Sequence, residues 1–337
     1  MRGFKQMRAI VMTAPGAPEV LQLAEVPQPT IESDRQILVQ LKAAGVNPID
    51  TKLRSRGTFY GDRFPAVLGC DGAGIVAEVG AAVTKFQVGD RVYFCNAGLG
   101  GHPGNYAEFA TVDERFVAHK PKTLSFAEAA AAPLVLITAW EALCDRGRIS
   151  SGMKTLIHAG AGGVGHVAIQ IAKLKGAKVC TTVSTTEKAD FVTSLGADQV
   201  IFYPQTDFVK KVLDWTDSQG VDLAFDTVGG KNFAQTFAAV KIYGDLVTIL
   251  SPSADTNWKI ARDRNLRISL ELMLTPMLQG LNKLQQHQAQ ILAECAQHID
   301  RGDLKIHLAQ TLPLAAAADA HRLIEAGSMI GKIALEI

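Results

Sequence analysis

Residues 155–175 read TLIHAGAGGVGHVAIQIAKLK, and no other stretch of the chain limits the fold so tightly. A β-type run leads into Gly160-x-Gly162-x-x-Gly165, and a helical pattern follows with Val164, Val167, Ala168 and Ile171 on one face. Glycines at this spacing permit a tight strand-to-helix turn. They also let the backbone approach a pyrophosphate, whose charge is met by N–H groups at the helix start. The context asked of such a turn is a run of βα units, and from Ser125 onward the chain supplies it. TLIHA pairs with GVGHVAIQIAKLKG, KVCTTV with TEKADFVTSLG, QVIFY with FVKKVLDWTDSQG, VDLAFDTV with NFAQTFAAVKIYG, and DLVTIL closes the series. Five strands with helices between them predict a doubly wound parallel sheet of the Rossmann type.

The first 125 residues differ. Short β-type runs such as ILVQLKAAGV, GAGIVAEVG and DRVYF are punctuated by Gly, Pro and Asp, which predicts a mostly β domain. At 337 residues the chain is too long for one core, since cores stop growing near roughly 250–300 residues. After Leu250 the polar SPSADTNWK interrupts the rhythm, a long helix is read around QAQILAECAQHIDRG, and GKIALEI is a β-type run expected to return to the N-terminal domain. With 47% hydrophobic residues, 20% charged and a net charge of +1, the chain has none of the basic excess that nucleic-acid backbones demand. The apolar run AAAAPLVLITAW (129–140) is far shorter than the roughly 20 residues of a bilayer span. No apolar segment precedes MRAIVM near the start, so no secretory signal is read and a cytoplasmic address is expected. Cys70, Cys95, Cys144, Cys180 and Cys295 lie far apart without a CxxC, the pattern of reduced and mostly buried thiols.

A carboxylate at the tip of the second strand binds the ribose 2′-hydroxyl of NAD and repels a 2′-phosphate. Here KVCTTV runs into Ser184-Thr185-Thr186-Glu187-Lys188: hydroxyls stand at the tip, and Lys188 follows one helical turn later. NADPH is therefore preferred over NADH. Ser184 also reads as the cap of the next helix, with Glu187 as its capping-box partner, and both readings can hold together.

The chain resembles the medium-chain dehydrogenase/reductase superfamily, in its zinc-free quinone oxidoreductase and alkenal/enone reductase branch. The marks are GVNPID (45–50), VLGCDGAGIVAEVG (67–80), FQVGDRVY (86–93), YAEFA (106–110), APLVLITAWEAL (132–143), HAGAGGVG (158–165), LGADQVIFY (195–203), DTVGG (226–230) and GKIAL (331–335). The resemblance implies a GroES-like catalytic domain over 1–128 and 275–337 and a Rossmann domain over 129–274. It implies cofactor contacts from Thr138, from Gly160 and the turn Gly162, Gly163, Val164 and Gly165, and from Ser184, Lys188, Tyr203 and Leu250. A homodimer is expected, paired through edge strands near DLVTIL.

Zinc-dependent relatives of that superfamily place Cys at Asn47, His at Cys70 and Cys near Leu134. One thiol does not hold zinc, which takes about four N, S or O ligands, so no metal is expected. Hydride addition to an enone, enal or quinone then needs a protein donor to stabilise the charge developing on the substrate oxygen. Many similar quinone reductases carry tyrosine where Lys52 stands, and NPIDTK looks like the enone reductase branch, in which this lysine faces substrate. A surface charge is the competing reading for Lys52. Asn47 is a candidate to orient ribose or substrate through its amide, and Tyr60 to donate a hydrogen bond, form a wall, or simply pack. Asp50 is read as a helix cap rather than a base. Two rival functions remain: a zinc-type alcohol dehydrogenase with altered ligands, and a non-catalytic NADPH-binding protein.

Overall fold

A computed structural model describes residues 5–61 and 63–337. The first four residues, on which the reading of the N-terminus partly rests, lie outside the described residues. The chain divides into two compact units. One holds the described residues up to Leu134 together with Leu274–Gly302 and Ile306–Ile337; the other holds Val135–Met273 and Asp303–Lys305.

The second unit is built on six parallel strands: β1 (Lys154–Ile157), β2 (Lys178–Val183), β3 (Gln199–Phe202), β4 (Val221–Asp226), β5 (Val240–Thr248) and β6 (Arg267–Leu270). Their spatial order is 3-2-1-4-5-6, the doubly wound order in which ligands bind beyond the carboxyl ends of the strands, near the reversal between β1 and β4. Helices α1 (Gly163–Leu174), α2 (Thr186–Ser194), α3 (Phe208–Trp215) and α4 (Gly230–Ala239) connect the strands. The apolar face read from the sequence is the buried one, with Val167, Ala168 and Ile171 inside α1. Leu156, Ala224 and Leu246 of the sheet pack with Phe233 and Phe237 of α4. These two rings meet edge-on at 5.0 Å, an arrangement worth about 0.5–1.5 kcal/mol beyond burial.

The structure corrects the sequence reading at three points. The sheet has six strands rather than five, because RISL is short and half-exposed and lacks the apolar run that marks an inner strand. The segment VKIYG is strand, not the end of α4. A register shift lets β5 bulge there, with Tyr243 at φ 62°, which breaks the alternation that pattern reading relies on. DLVTIL is accordingly no edge: its strand β5 pairs on both sides, and β6 is the edge strand.

The first unit is mostly β. A seven-stranded sheet runs Leu308–Pro313, Lys332–Glu336, Gln36–Val46, Asp71–Val79, Arg91–Cys95 and Ala118–His119, with Phe109–Asp113 paired to Gln36–Val46. The closing run GKIALEI thus forms a strand antiparallel to Gln36–Val46, with Ile333 opposite Val46. A smaller sheet joins Leu21–Pro27, Gln6–Met12 and Ala66–Val67. Ile37, Val39, Leu41, Val76, Val92 and Phe94 form the core under the large sheet. The long helix spans Asn282–Asp300, and the Tyr93 hydroxyl donates to its Leu292 carbonyl at 2.6 Å.

Candidate cofactor and active-site residues

In the second unit β1 ends at Ile157, and Ala159, at φ 50°, turns the chain toward α1. The Ala159 N–H donates to Thr182 Oγ1 at 3.0 Å and the Gly160 N–H to the Thr182 carbonyl at 3.2 Å, which fixes the turn against β2. Two fingerprint glycines are demanded by the protein itself. A Cβ on Gly160 would lie 2.1 Å from Thr181 Oγ1, and one on Gly165 would lie 2.3 Å from the Ala159 carbonyl oxygen. Gly162 is different, because an added Cβ would meet only that carbonyl oxygen, at 3.2 Å. As N-cap of α1 it offers no side chain to the first-turn N–H groups, so these are left for an anion.

Below the turn His158 is buried, and burial pulls its pKa down to about 4. Its ring lies 3.2 Å from Thr182 Oγ1 and 3.0 Å from Thr236 Oγ1, tying β2 to α4. Next to it Asp226, also buried, accepts from the N–H groups of Val228 and Gly229, from Asn232 Nδ2 and from the Thr248 hydroxyl, and so shapes the DTVGG turn. Neither role shows in a pattern scan; only the sequence order of His158 before the glycine turn and Asp226 before Gly229-Gly230 hints at them.

At the tip of β2 the cap of α2 is Thr185, whose hydroxyl accepts from the Lys188 N–H at 3.3 Å, and not Ser184 as expected. The helix begins one residue later than the capping-box reading required. Ser184 is thereby released from capping, and its hydroxyl accepts from Lys188 Nζ at 3.3 Å. A hydroxyl and an ammonium thus stand side by side where a carboxylate would stand in an NAD site. Tyr203 follows β3, more than half exposed. Leu250 follows β5 with its N–H on Thr248 Oγ1 at 3.2 Å. Thr138 is buried in the helix Pro133–Trp140. Gly160, Ser184, Tyr203, Asp226 and Leu250 therefore all lie at or just beyond the carboxyl ends of the parallel strands.

In the first unit Asn47, not Asp50, is the N-cap of the helix Pro48–Arg56, which starts two residues before Asp50; Asp50 lies in the first turn, and its Oδ2 accepts from the Asn47 N–H at 2.8 Å. The Asn47 amide is fully buried and engaged at both ends: Nδ2 donates to Asp71 Oδ2 at 2.9 Å, and Oδ1 accepts from Lys332 Nζ, which also donates to the Val46 carbonyl at 3.0 Å. Desolvation pushes Asp50 up to about 7 and Asp71 up to about 6, with Lys332 pulling Asp71 back down. Burial lowers the Lys332 pKa, opposed by the two carboxylates. Tyr106 donates to Asp50 Oδ2 at 3.1 Å and lies 3.3 Å from His321 Nε2. This buried charge cluster escapes sequence reading, because Asp71 and Lys332 sit in runs that scan as plain strand.

Lys52 projects from the same helix into solvent rather than into a desolvated setting, and its ammonium pairs with no described residue. Tyr60 is 39% exposed and its ring lies against Gly101. The four cysteines 70, 95, 180 and 295 are buried, Cys144 is half-buried, and none of the five is in a disulfide. Among the described residues no group of three or more His, Cys, Asp or Glu side chains forms a metal-binding arrangement, and no helix is long and apolar enough to cross a membrane.

A 3-2-1-4-5-6 sheet with a glycine turn, in one chain with a β unit completed by a strand from late in the sequence, is the architecture of the medium-chain dehydrogenases and reductases. Family models agree: residues 33–122 match the alcohol dehydrogenase GroES-like domain, and 195–335 match a model described as zinc-binding dehydrogenase. The quinone oxidoreductase of Pseudomonas aeruginosa is 33% identical over 331 residues, 97% of this chain and 99% of that protein. An alcohol dehydrogenase superfamily protein from Novosphingobium aromaticivorans superposes with a TM-score of 0.90 at 34% identity, over 98% of this chain and 99% of that one. The Escherichia coli quinone oxidoreductase complexed with NADPH superposes at 0.86 with 30% identity, over 98% of this chain and all of that one. The chain belongs to the quinone oxidoreductase group of the medium-chain dehydrogenase/reductase family.

Proposed function

We propose that this oxidoreductase uses NADPH to reduce quinones or activated C=C bonds of enones and enals, without zinc. The observation that carries the cofactor choice is the Ser184–Lys188 pair at the tip of β2: an ammonium and a hydroxyl suit a 2′-phosphate and offer nothing special to a bare ribose. The side-chain-free N-cap at Gly162 suits the pyrophosphate. Bound there, NADPH supplies a hydride to an electron-poor carbon. Thr138, Tyr203 and Leu250 are assigned to its nicotinamide and adenosine ends.

Lys52 is assigned as the donor to the substrate oxygen on which negative charge collects; exposed on its helix, it acts so only once bound substrate shields it from water. Solvent supplies the proton that completes the reduction. Tyr60 is assigned to the substrate wall. Asn47, with both amide ends engaged, is assigned to holding the helix of Lys52 in place rather than to substrate contact. Independence from zinc is supported by the donor set. A dication among Cys70, Asp50 and Asp71 would face the Lys332 ammonium, and the Asn47 amide is a poor replacement for a thiolate. The edge strand β6 is the expected seam of a homodimer.

Initial rates with NADPH and NADH across a panel of quinones, enones and enals test the reading, together with metal analysis of the purified protein. NADPH-specific turnover by metal-free protein is expected. No NADPH oxidation with any panel member, or activity that tracks bound zinc, would refute it.

A further inference from the structure

We infer that Arg54 and His321 form a built site for bound water on the inner face of the helix Pro48–Arg56, and that this site positions Lys52 for the reduction. The positioning role rests on the assignment of Lys52 to the substrate oxygen. Asp50 and Arg54, four residues apart, lie one above the other on the buried face of that helix, and Lys52, two residues from each, lies on the exposed one. What fixes the inner face therefore fixes the direction in which the lysine leaves the outer face.

Against this face packs the helix Ala317–Ala326 of the same unit. Arg54 and His321 are both buried, and Arg54 Nη2 pairs with Glu325 Oε1. Four atoms of the cluster are buried with no partner among the described residues: Asp50 Oδ1, Arg54 Nε, Arg54 Nη1 and His321 Nδ1. Buried polar atoms rarely stay unpaired, because each one left so forfeits its hydration for nothing. Four in one cluster point to a bound molecule that serves them together.

The neighbouring hydrogen bonds decide which of the four atoms give a proton and which accept one. Asp50 Oδ2 accepts from the Asn47 N–H at 2.8 Å and from the Tyr106 hydroxyl at 3.1 Å. With its proton directed at Asp50, the Tyr106 oxygen accepts from the ring atom 3.3 Å away, so His321 Nε2 carries an N–H. Burial, aided by the Arg54 guanidinium nearby, brings the His321 pKa down to about 3. The neutral ring has one proton, and Nδ1 is a bare lone pair. Arg54 presents N–H groups only.

A guanidinium that only donates and a ring nitrogen that only accepts are complementary, yet they do not bond each other. Water joins them, accepting from Arg54 and donating to His321 Nδ1. Its second hydrogen serves Asp50 Oδ1, which completes the roughly three bonds typical of a buried water. An ion suits the site less well, since an anion would face the Asp50 carboxyl and a cation the guanidinium. Through this water the helix Ala317–Ala326 holds both turns of the inner face, Asp50 in the first and Arg54 in the second.

The test combines structure and turnover. A high-resolution crystal structure of the full chain should show an ordered water in hydrogen-bond reach of Arg54 and His321 Nδ1. Nitrogen NMR of the histidine-labelled chain should place the His321 proton on Nε2, the resonance being assigned by its loss in His321→Gln. Arg54→Met and His321→Gln, the latter keeping an amide for Tyr106, should each lower kcat with enones about tenfold while KM for NADPH holds, and the double variant should be no worse than the worse single. In a Lys52→Met background Arg54→Met should have no further effect. No water at those atoms, or a proton on His321 Nδ1, overturns the site. Wild-type kcat in both variants, or a loss that persists without Lys52, overturns its positioning role. Should a variant fail to fold, the wild-type water and tautomer decide. Unchanged turnover in Lys52→Met alone would remove the lysine assignment, and the positioning role with it, and leave the water site standing.

Discussion

Replacing Lys188 by alanine should damage NADPH use and leave NADH use alone. The substitution is clean, because the α2 cap bond runs from the Lys188 backbone N–H to Thr185 Oγ1 and survives it. What disappears is the Nζ that stands 3.3 Å from Ser184 Oγ, and with it the charged half of the proposed phosphate seat. A hydrogen bond to a charged group contributes about 1.5–3 kcal/mol, and each 1.4 kcal/mol is a factor of ten, so NADPH affinity should fall roughly 10- to 150-fold. Bare Coulomb attraction at about 4 Å, with an effective dielectric of about 20, gives about 4 kcal/mol, an upper bound because Lys188 is partly exposed. The assay is kcat/KM for both cofactors at low and high salt. The loss should be confined to NADPH and should shrink as salt screens the pair in wild type. Equal losses with both cofactors, or none with NADPH, would refute the reasoning. Ser184→Asp extends the test, since a carboxylate at this tip should reverse the cofactor preference.

The fingerprint glycines should separate folding from binding. Gly162→Ala is expected to keep its melting temperature and lose NADPH affinity at least about tenfold, whereas Gly165→Ala, with a Cβ 2.3 Å from the Ala159 oxygen, should also lose about 1–3 kcal/mol of stability in urea unfolding. For Lys52→Met we expect kcat with enones to fall about 10²-fold while NADPH affinity, read by fluorescence titration, holds; unchanged turnover would remove Lys52 from the mechanism. Asp50 titrates near 7 in the folded protein against an ordinary 3.8, so the native state binds the extra proton between those values and stability falls as pH rises through them. Asp50→Asn, which keeps an acceptor for the Asn47 N–H, should therefore gain on wild type by up to about 1.4 kcal/mol per pH unit between pH 4 and 7. A difference between the two proteins that is flat in pH would contradict a carboxyl whose desolvation outweighs its hydrogen bonds.

The features legible in the sequence are those that rest on local periodicity. The face of α1, the glycine turn, the first four parallel strands and the strand character of GKIALEI all follow from apolar spacing and turn chemistry. The bulge in β5 and the edge strand β6 were hidden because each breaks alternation, one through an inserted loop of backbone and the other through half-exposure. At the candidate site, single residues within a motif were readable, whereas partnerships were not. Thr185 displaced Ser184 as cap by a one-residue shift in where the helix starts, finer than composition resolves. Lys332 and Asn47 meet across 285 residues, and Asp50 reaches Tyr106 across 56; no spacing rule connects such pairs, which depend on sheet topology.

The strand Lys332–Glu336 lies inside its sheet, between Gln36–Val46 and Leu308–Pro313. During synthesis the end of the early strand, Ala43–Val46, must therefore wait, its flank open and Asp71 without its ammonium, until residues 332–336 are made, while the main segment of the nucleotide unit, Val135–Met273, is already complete. Assembly of the β unit is a long-range step, slow by its topology, and the open flank at Ala43–Val46 is where a partly made chain is most open to pairing with the wrong strand.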